Sequence, residues 1–279
     1  MKKQRRAGVL FVLPSLIGVL VFYLIPFGDV VRRSFLKASG SGFAGFGNYR
    51  QVLSNQAFKM AANNTIRFVL VCLPLLLVLS LGLAVLLQEQ VNGKNLLKSA
   101  YLIPLAIPAA SVVLLWNIVF DNYGILNGML AFFHRDGKDW MNTDAAFFVL
   151  VFSYIWKNLG YDVILWMAGL LGISESIYEA ARVDGAGAWK CFFYITLPGI
   201  RPVAFTIVIL SFLNSFKVFR EAYLVAGNYP QEPIYLLQHV FNNWFSVLSV
   251  DKMAAGSVLL CIVLIIFVLL LQRSWDKEC

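Results

Sequence analysis

Polar side chains in the middle of an otherwise apolar segment are the first candidates for chemistry in this sequence. Within residues 145–172, a cation, an amide, two aromatic rings and a carboxylate occur within two helical turns: Trp156, Lys157, Asn158, Tyr161 and Asp162. Lys157 lies near the centre of this segment, where a charge facing lipid costs about 2.5–3.5 kcal/mol on insertion scales. We therefore expect Lys157 to face a cavity or a partner group. The cluster can line a solute pathway or form polar contacts between helices, and the sequence leaves both alternatives open.

A second polar group lies within residues 203–226. Asn214, Lys217 and Glu221 are spaced i, i+3 and i+7, which places them on one face of a helix. Lys217 and Glu221 are therefore expected to pair along that face. Asn214 lies near the middle of the segment, and we predict that Asn214 and Lys217 face a polar cavity. The predicted substrate pathway comprises Trp156, Lys157, Asn158, Tyr161, Asn214 and Lys217.

Residue patterns that would support catalysis or metal binding do not occur in this sequence. The glycines from Gly40 match G-x-G-x-x-G, but they follow an apolar segment rather than a strand, so we interpret them as a loop. The four cysteines have no metal-site spacing, and there are only two histidines. We predict no catalytic residues, no metal and no cofactor. The chain is therefore not expected to be an enzyme, and any ATP hydrolysis must occur in a separate subunit.

Composition indicates an integral membrane protein. Hydrophobic residues make up 59% and charged residues 14% of the 279-residue chain, and the mean hydropathy is +0.73. The net charge of +8 comes largely from cations that flank apolar segments, so it indicates a lipid bilayer rather than a nucleic acid as partner. Helices of about 20 apolar residues can cross a bilayer. Six such spans are predicted, at residues 7–27, 68–87, 101–120, 145–172, 203–226 and 253–271.

These spans predict an all-α integral membrane fold in a single transmembrane domain, residues 1–279. The apolar segments lack the alternation that a membrane β-barrel requires. The first segment begins after a basic stretch and is too long for an ordinary signal peptide, so we expect it to be retained as a span. An even number of spans places both termini on one side of the membrane. Lysine and arginine are nearly equal on the two sides, so charge alone does not decide which side is cytoplasmic.

The polar loop at residues 174–201 has its own pattern. Ser176 and Glu179 match a capping box and predict a helix that starts near Ile177. Gly185 is expected to end that helix, because glycine accepts the left-handed conformation that helix ends require. A second short helix is predicted over residues 186–195. The small residues between the two helices would allow another backbone to approach closely, so we expect this loop to be held by a soluble protein.

The same loop resembles the EAA motif of the membrane subunits of ABC importers. The matching residues are Glu179, Ala180, Ala181, Asp184, Gly185, Ile195, Leu197 and Pro198. The sequence Phe46-x-Asn48-Tyr49 and the pair Asn64-Thr65 add to the resemblance, which is greatest to the MalF-like carbohydrate-uptake group. The resemblance implies the six-helix, type I importer permease architecture. It also implies that Glu179, Ala180, Ala181, Asp184 and Gly185 couple the chain to an ATPase.

The resemblance further implies partners, location and cargo. Expected partners are a second related permease subunit, a dimer of cytoplasmic ATPase subunits and an extracytoplasmic sugar-binding protein. Both termini would be cytoplasmic in the cell membrane, and the cargo would be a sugar or oligosaccharide. The alternatives are another solute such as glycerol phosphate, whose anionic group would suit Lys157 and Lys217, a secondary transporter, and a membrane-embedded enzyme. Residues 225–230 depart from the T-x-G-G-P pattern frequent in the family, which leaves the solute open.

Overall fold

The architecture is helical wherever the chain is described. A computed structural model describes residues 12–38, 40, 42–88 and 103–276; residues 7–11 of the predicted first span and 101–102 of the third lie outside these ranges. Within them, an isolated bridge between Leu36 and Phe43 is the only β-pairing. Twelve helices are labelled here: α1 Val12–Ser34, α2 Gly47–Ser54, α3 Gln56–Gln88, α4 Ala109–Phe120, α5 Ile125–Phe132, α6 Ala145–Leu170, α7 Glu175–Val183, α8 Ala188–Cys191, α9 Arg201–Ser215, α10 Phe219–Ala226, α11 Leu237–Ser246 and α12 Val250–Asp276.

Six helical stretches of the described chain are long and apolar enough to cross a membrane, which confirms the predicted number. They are α1, α3, α4 with α5, α6, α9 with α10, and α12. Several differ in extent from the predicted spans. α3 starts at Gln56, twelve residues before the predicted span, because the Asn55 side chain accepts a hydrogen bond from the Phe58 N–H at 2.9 Å and caps the helix. The third stretch breaks at residues 121–124, where α4 ends and α5 begins.

The helices divide into two compact units, residues 1–59 with 240–279 and residues 60–239. In the first unit, α12 packs against α1 and α2. The amide of Asn48 donates hydrogen bonds to the carbonyls of Ser34 and Leu36, at 2.9 and 2.7 Å, and so satisfies backbone groups at and just past the end of α1. The F-x-N-Y sequence that marked the family resemblance therefore has a local structural role.

The second unit holds two clusters of buried apolar side chains. One joins α3, α4, α6 and α10, and the other joins α3, α6 and α9. α6 runs through both clusters, so its side chains are fixed on several sides. Gly169 allows α6 and α9 to approach closely, because a Cβ at this position would lie 3.0 Å from the side chain of Val203. Buried polar contacts add to the packing, since the indole N–H of Trp116 donates to Ser153 and that of Trp166 to Ser80.

Candidate functional site

A polar cavity of about 510 Å³ opens within the second unit. Its wall comes from the chain just before α4, from the middle of α6 and from the junction of α9 and α10. The lining side chains include Ser153, Tyr154, Lys157, Asn158, Tyr161, Asn214, Lys217, Arg220 and Glu221. Three cations, one carboxylate, two amides and two phenols therefore line one cavity, which is formed by helical stretches of membrane-spanning length. The cavity is the size of a small solute and can offer it many hydrogen bonds.

Lys157 both lines this cavity and forms an ion pair between helices. Its Nζ donates to Oε1 of Glu221 on α10 at 2.5 Å, and the exposed fractions of the two side chains are 19% and 8%. The predicted pair between Lys217 and Glu221 is wrong. Lys217 instead donates to Oδ1 of Asn214 at 2.7 Å.

The physical reason lies in the junction of α9 and α10. Residues Phe216–Val218 form a 3₁₀ turn, which has three residues per turn and so changes the helical register between Asn214 and Glu221. Glu221 is buried against α6, where pairing with Lys157 offsets the burial of both charges. Lys217 stays exposed on the cavity wall.

Buried hydrogen bonds between α6 and α9 hold this wall in place. The Tyr154 hydroxyl donates to the carbonyl of Ser211 at 2.9 Å, and the Ser211 hydroxyl donates to Asp162 at 2.7 Å. Asp162 is 1% exposed and does not line the cavity. Asn158 is oriented by its own helix, because its amide donates to the Tyr154 carbonyl at 2.8 Å.

The chain before α4 and the first residue of α4 supply a further part of the wall, residues 105–109. Residues 103–106 are helical, the chain leaves the helix at 107–108, and α4 begins at Ala109. Non-helical backbone at membrane depth is tolerated where it lines a polar cavity. The sequence analysis missed this break, although Pro104 and Pro108 were its signal, because proline disfavours helical conformation in the residue before it.

The structure brings together five of the six residues predicted for the pathway. Lys157, Asn158, Tyr161, Asn214 and Lys217 all line the cavity. Trp156 does not, and packs instead against the apolar cluster shared by α3, α4, α6 and α10. Arg220 also lines the cavity and was not among the residues predicted for the pathway.

The loop after α6 forms a second candidate site. α7 begins at Glu175, with Ser174 at the position before it, so the predicted capping box at Ser176 and Glu179 is wrong. Ser176 lies inside the helix, and its hydroxyl contacts that of Ser174 at 2.8 Å. The carbonyl of Ser174 instead accepts the Ile177 N–H at 3.2 Å, which starts the helix two residues earlier than predicted.

The C-terminal end of α7 has the left-handed glycine that the sequence predicted at Gly185. Gly185 has φ +78°; its N–H donates to the Arg182 carbonyl at 3.0 Å and the Ala186 N–H donates to the Ala181 carbonyl at 2.9 Å. This is the Schellman pattern, which satisfies the last carbonyls of a helix. Glu179, Ala180, Asp184 and Gly185 are exposed and Ala181 is half-buried. After α8 the chain stays helical through a π-helical turn at Phe192–Thr196.

Polar side chains also fix the connector between α10 and α11. The amide of Asn64 on α3 donates to the carbonyls of Glu232 and Tyr235 at 2.5 and 3.1 Å, and the Thr65 hydroxyl accepts from the Leu237 N–H at 3.0 Å. His239 is fully buried, and its Nδ1 accepts from the Leu236 N–H at 3.0 Å. Burial lowers the pKa of His239 to about 4, so the imidazole is neutral at pH 7.

The six membrane-spanning stretches and the solute-sized polar cavity of the second unit define a multi-pass membrane protein of the transporter class. Residues 90–277 match the family described as binding-protein-dependent transport system inner membrane component. The chain belongs to this family.

Similar curated proteins are transport permeases. The trehalose/maltose transport system permease protein MalF of Thermococcus litoralis is 32% identical, over 82% of this chain and 79% of that protein. The sn-glycerol-3-phosphate transport system permease protein UgpA of Escherichia coli (strain UTI89 / UPEC) is 29% identical over 99% and 96% of the two chains. The arabinooligosaccharides transport system permease protein AraP of Bacillus subtilis is 29% identical over 97% and 89%.

The fold is also that of a solved transporter subunit. A chain of a bacterial ABC transporter involved in the import of the acidic polysaccharide alginate superimposes with a TM-score of 0.86, covering 99% of this chain and 98% of that one. Its sequence identity is 22%, so this likeness supports the fold alone. The predicted importer permease architecture is confirmed.

Proposed function

We propose that this chain is the permease subunit of an ATP-driven importer for a sugar or a sugar-like solute. The observation that carries the proposal is the exposed helix pair α7–α8, turned by Gly185, with Glu179, Ala180 and Ala181 at its surface. Five of the nine residues from Glu179 to Gly187 are alanine or glycine, which leaves room for a partner's side chains. In this proposal the free energy for transport comes from ATP hydrolysis in a separate subunit and reaches the chain through this contact.

This loop would dock an ATPase dimer on the cytoplasmic side. Closure of the dimer would move α7 and α8, and α6 and α9, which flank the loop, would carry that movement to the cavity wall. This sidedness places both termini in the cytoplasm. A second, related permease subunit would complete the pathway, and an extracytoplasmic binding protein would deliver the solute. The solute would pass Lys157, Asn158, Tyr161, Asn214 and Lys217.

The relatives support a polar, hydroxyl-rich cargo. Their names refer to trehalose or maltose, arabinooligosaccharides and sn-glycerol 3-phosphate. Amide and phenol groups in the cavity wall suit hydroxyl groups, because both kinds of group can donate and accept hydrogen bonds. A glycerol-phosphate cargo is the second candidate, since the cavity contains cations.

The variant Gly185→Asp tests the docking role. An aspartate at this position meets no atom within 4 Å but is held at a positive φ, so it adds charge and strain at the turn without a clash. We expect the variant to insert in the membrane and to lose co-purification with the ATPase and ATP-driven uptake.

Gly227→Asp is the matched control. Gly227 also has a positive φ, +70°, and open surroundings, and it lies at the opposite end of the span formed by α9 and α10. Its ψ of −152° requires glycine at least as strongly. Equal loss of ATPase association in both variants would attribute the effect to strain and contradict the docking role.

A further inference from the structure

The charges on the cavity wall do not balance. Lys157 is neutralised by Glu221, which is the only carboxylate among the described residues that line the cavity. Lys217 and Arg220 line the same cavity and are exposed. No carboxylate in the described part of the chain lies within 4.0 Å of either cation. The wall therefore carries two positive charges without a counter-charge from the described part of the chain.

The backbone adds to this positive field. α4 begins at Ala109, which also lines the cavity, and its first residues direct N–H groups towards its N-terminal end. A helix N-terminus carries partial positive charge and stabilises anions. The N-cap residue, Pro108, provides no side-chain cap there.

Lys217 and Arg220 belong to the apolar helical stretch Arg201–Ala226. Cations in such stretches are costly unless they face water, an ion or a partner group. A neutral sugar needs only hydrogen-bond donors and acceptors, which Asn158, Tyr161 and Asn214 already supply. A neutral sugar can also accept hydrogen bonds from Lys217 and Arg220, but it provides no counter-charge for them. A solute that carries its own negative charge would gain from both cations in the low-dielectric setting.

We propose that the solute carried through this cavity has an anionic group, a carboxylate or a phosphate, on a sugar or polyol, and that Lys217 and Arg220 are its specificity-determining residues. This inference rests on the proposed transport function. The Lys157–Glu221 pair lines the same cavity and contributes no net charge.

The field in the cavity can be measured with a thiol probe. Ala106→Cys places a thiol on the wall without changing any charge or side-chain hydrogen bond. The complete importer is treated with an anionic reagent, sulfonatoethyl methanethiosulfonate, and with a cationic one, trimethylammonioethyl methanethiosulfonate. The wild-type chain gives the background from native thiols, and free mercaptoethanol gives the intrinsic rate ratio.

Relative to mercaptoethanol, the anionic reagent should be favoured by about tenfold at the thiol introduced by Ala106→Cys. When Lys217→Gln and Arg220→Gln are added together to this variant, the preference should disappear, and with Lys217→Arg and Arg220→Lys it should persist. Equal rates for the two reagents in the parent Ala106→Cys protein, or a preference for the cationic one, would overturn the inference.

Protection of the same thiol distinguishes the two anions. Digalacturonate is compared with its methyl ester, and glycerol 3-phosphate with glycerol, as millimolar competitors of maleimide labelling. One anion should protect and its neutral counterpart should not, and equal protection by a neutral counterpart would overturn the inference. If the importer takes up a neutral sugar with ATP and the thiol shows no preference between the anionic and cationic reagents, the anionic-solute inference fails and the proposed transport function stands. If no solute is taken up with ATP, the proposed function itself is overturned.

Discussion

Lys157 and Glu221 illustrate how single residues in this protein serve two purposes. Each lines the cavity, and each is acceptable there only because the other is present. Removing one partner of a buried pair leaves an uncompensated charge, whereas removing both leaves only a polar-to-apolar change. The alternatives that the sequence left open for Lys157, pathway or helix contact, are thus compatible.

A double-mutant cycle should reveal this dependence. We expect Lys157→Met and Glu221→Gln each to lower the thermal stability of the purified subunit. The loss of stability in the double variant should be smaller than the sum of the two single losses. The coupling should be on the order of 1–3 kcal/mol. Additive effects would show that the pair does not hold α6 and α10 together.

His239 gives a pH dependence with a defined sign. Its pKa is about 4 in the folded protein, against an ordinary value of 6.5. The unfolded chain therefore binds more protons between these values, and stability falls as pH decreases through that window, by about 2 kcal/mol at pH 5 relative to pH 7. The thermal midpoint should drop less between pH 7 and pH 5 in His239→Asn, which keeps an acceptor for the Leu236 N–H and does not titrate.

His134→Asn is the matched control for this measurement. His134 is exposed and has φ +54°, a conformation that asparagine tolerates. The drop in thermal midpoint between pH 7 and pH 5 should be the same in His134→Asn as in the wild type. An unchanged drop in His239→Asn would assign the acid sensitivity to other groups.

At the scale of elements, the connector between α10 and α11 is held in place by a side chain from the N-terminal part of α3. Asn64 donates two hydrogen bonds to its carbonyls, so this segment is held by side chains rather than by regular structure of its own. Asn64→Ala should cost about 1–3 kcal/mol and increase amide hydrogen exchange over residues 231–237.

The neighbouring Asn63→Ala provides the comparison, because Asn63 is exposed on the same helix. It should leave hydrogen exchange in the connector unchanged. Equal exchange in the two variants would show that the connector is held by other contacts.

The elements differ in how far the sequence predicted them. Apolar length identified all six spans, because a bilayer requires it, and the left-handed glycine at the end of α7 was identified because few residues other than glycine adopt that conformation. The start of α7 was wrong by two residues, since Ser174 and Ser176 are both acceptable cap residues locally. The pairing of Glu221 required knowledge of α6, because Lys157 lies 64 residues away in sequence and close only in the fold.

The residues of the candidate site were also predicted only in part. Mid-span polar residues identified five of the nine polar side chains named in the cavity wall, because polar groups in a membrane span must face something polar. Trp156 was grouped with them by proximity in sequence, although adjacent helical residues point about 100° apart and its ring packs in an apolar cluster. Arg220 was not predicted because the 3₁₀ turn before it changes the helix face on which it lies.

At the scale of the whole molecule, the proposed sidedness can be tested with two cysteines. Val183 is 88% exposed at the end of α7, and Asp136 is exposed in the connector before α6. These positions lie at opposite ends of α6. In intact cells an impermeant maleimide should label Asp136→Cys, and it should label Val183→Cys only after permeabilisation. Labelling of Val183→Cys in intact cells would place the loop outside and contradict the proposed orientation.

The separation of Lys157 and Glu221 along the chain also has a consequence for biosynthesis. Lys157 is translated before Glu221, and at about 5–20 residues per second the 64 residues from 158 to 221 take about 3–13 s. During that time Lys157 has no carboxylate partner in α10, and its insertion rests on the apolar remainder of α6. A chain that stops before α10 presents a lone intramembrane lysine, a feature by which membrane quality control can distinguish unfinished copies from complete ones.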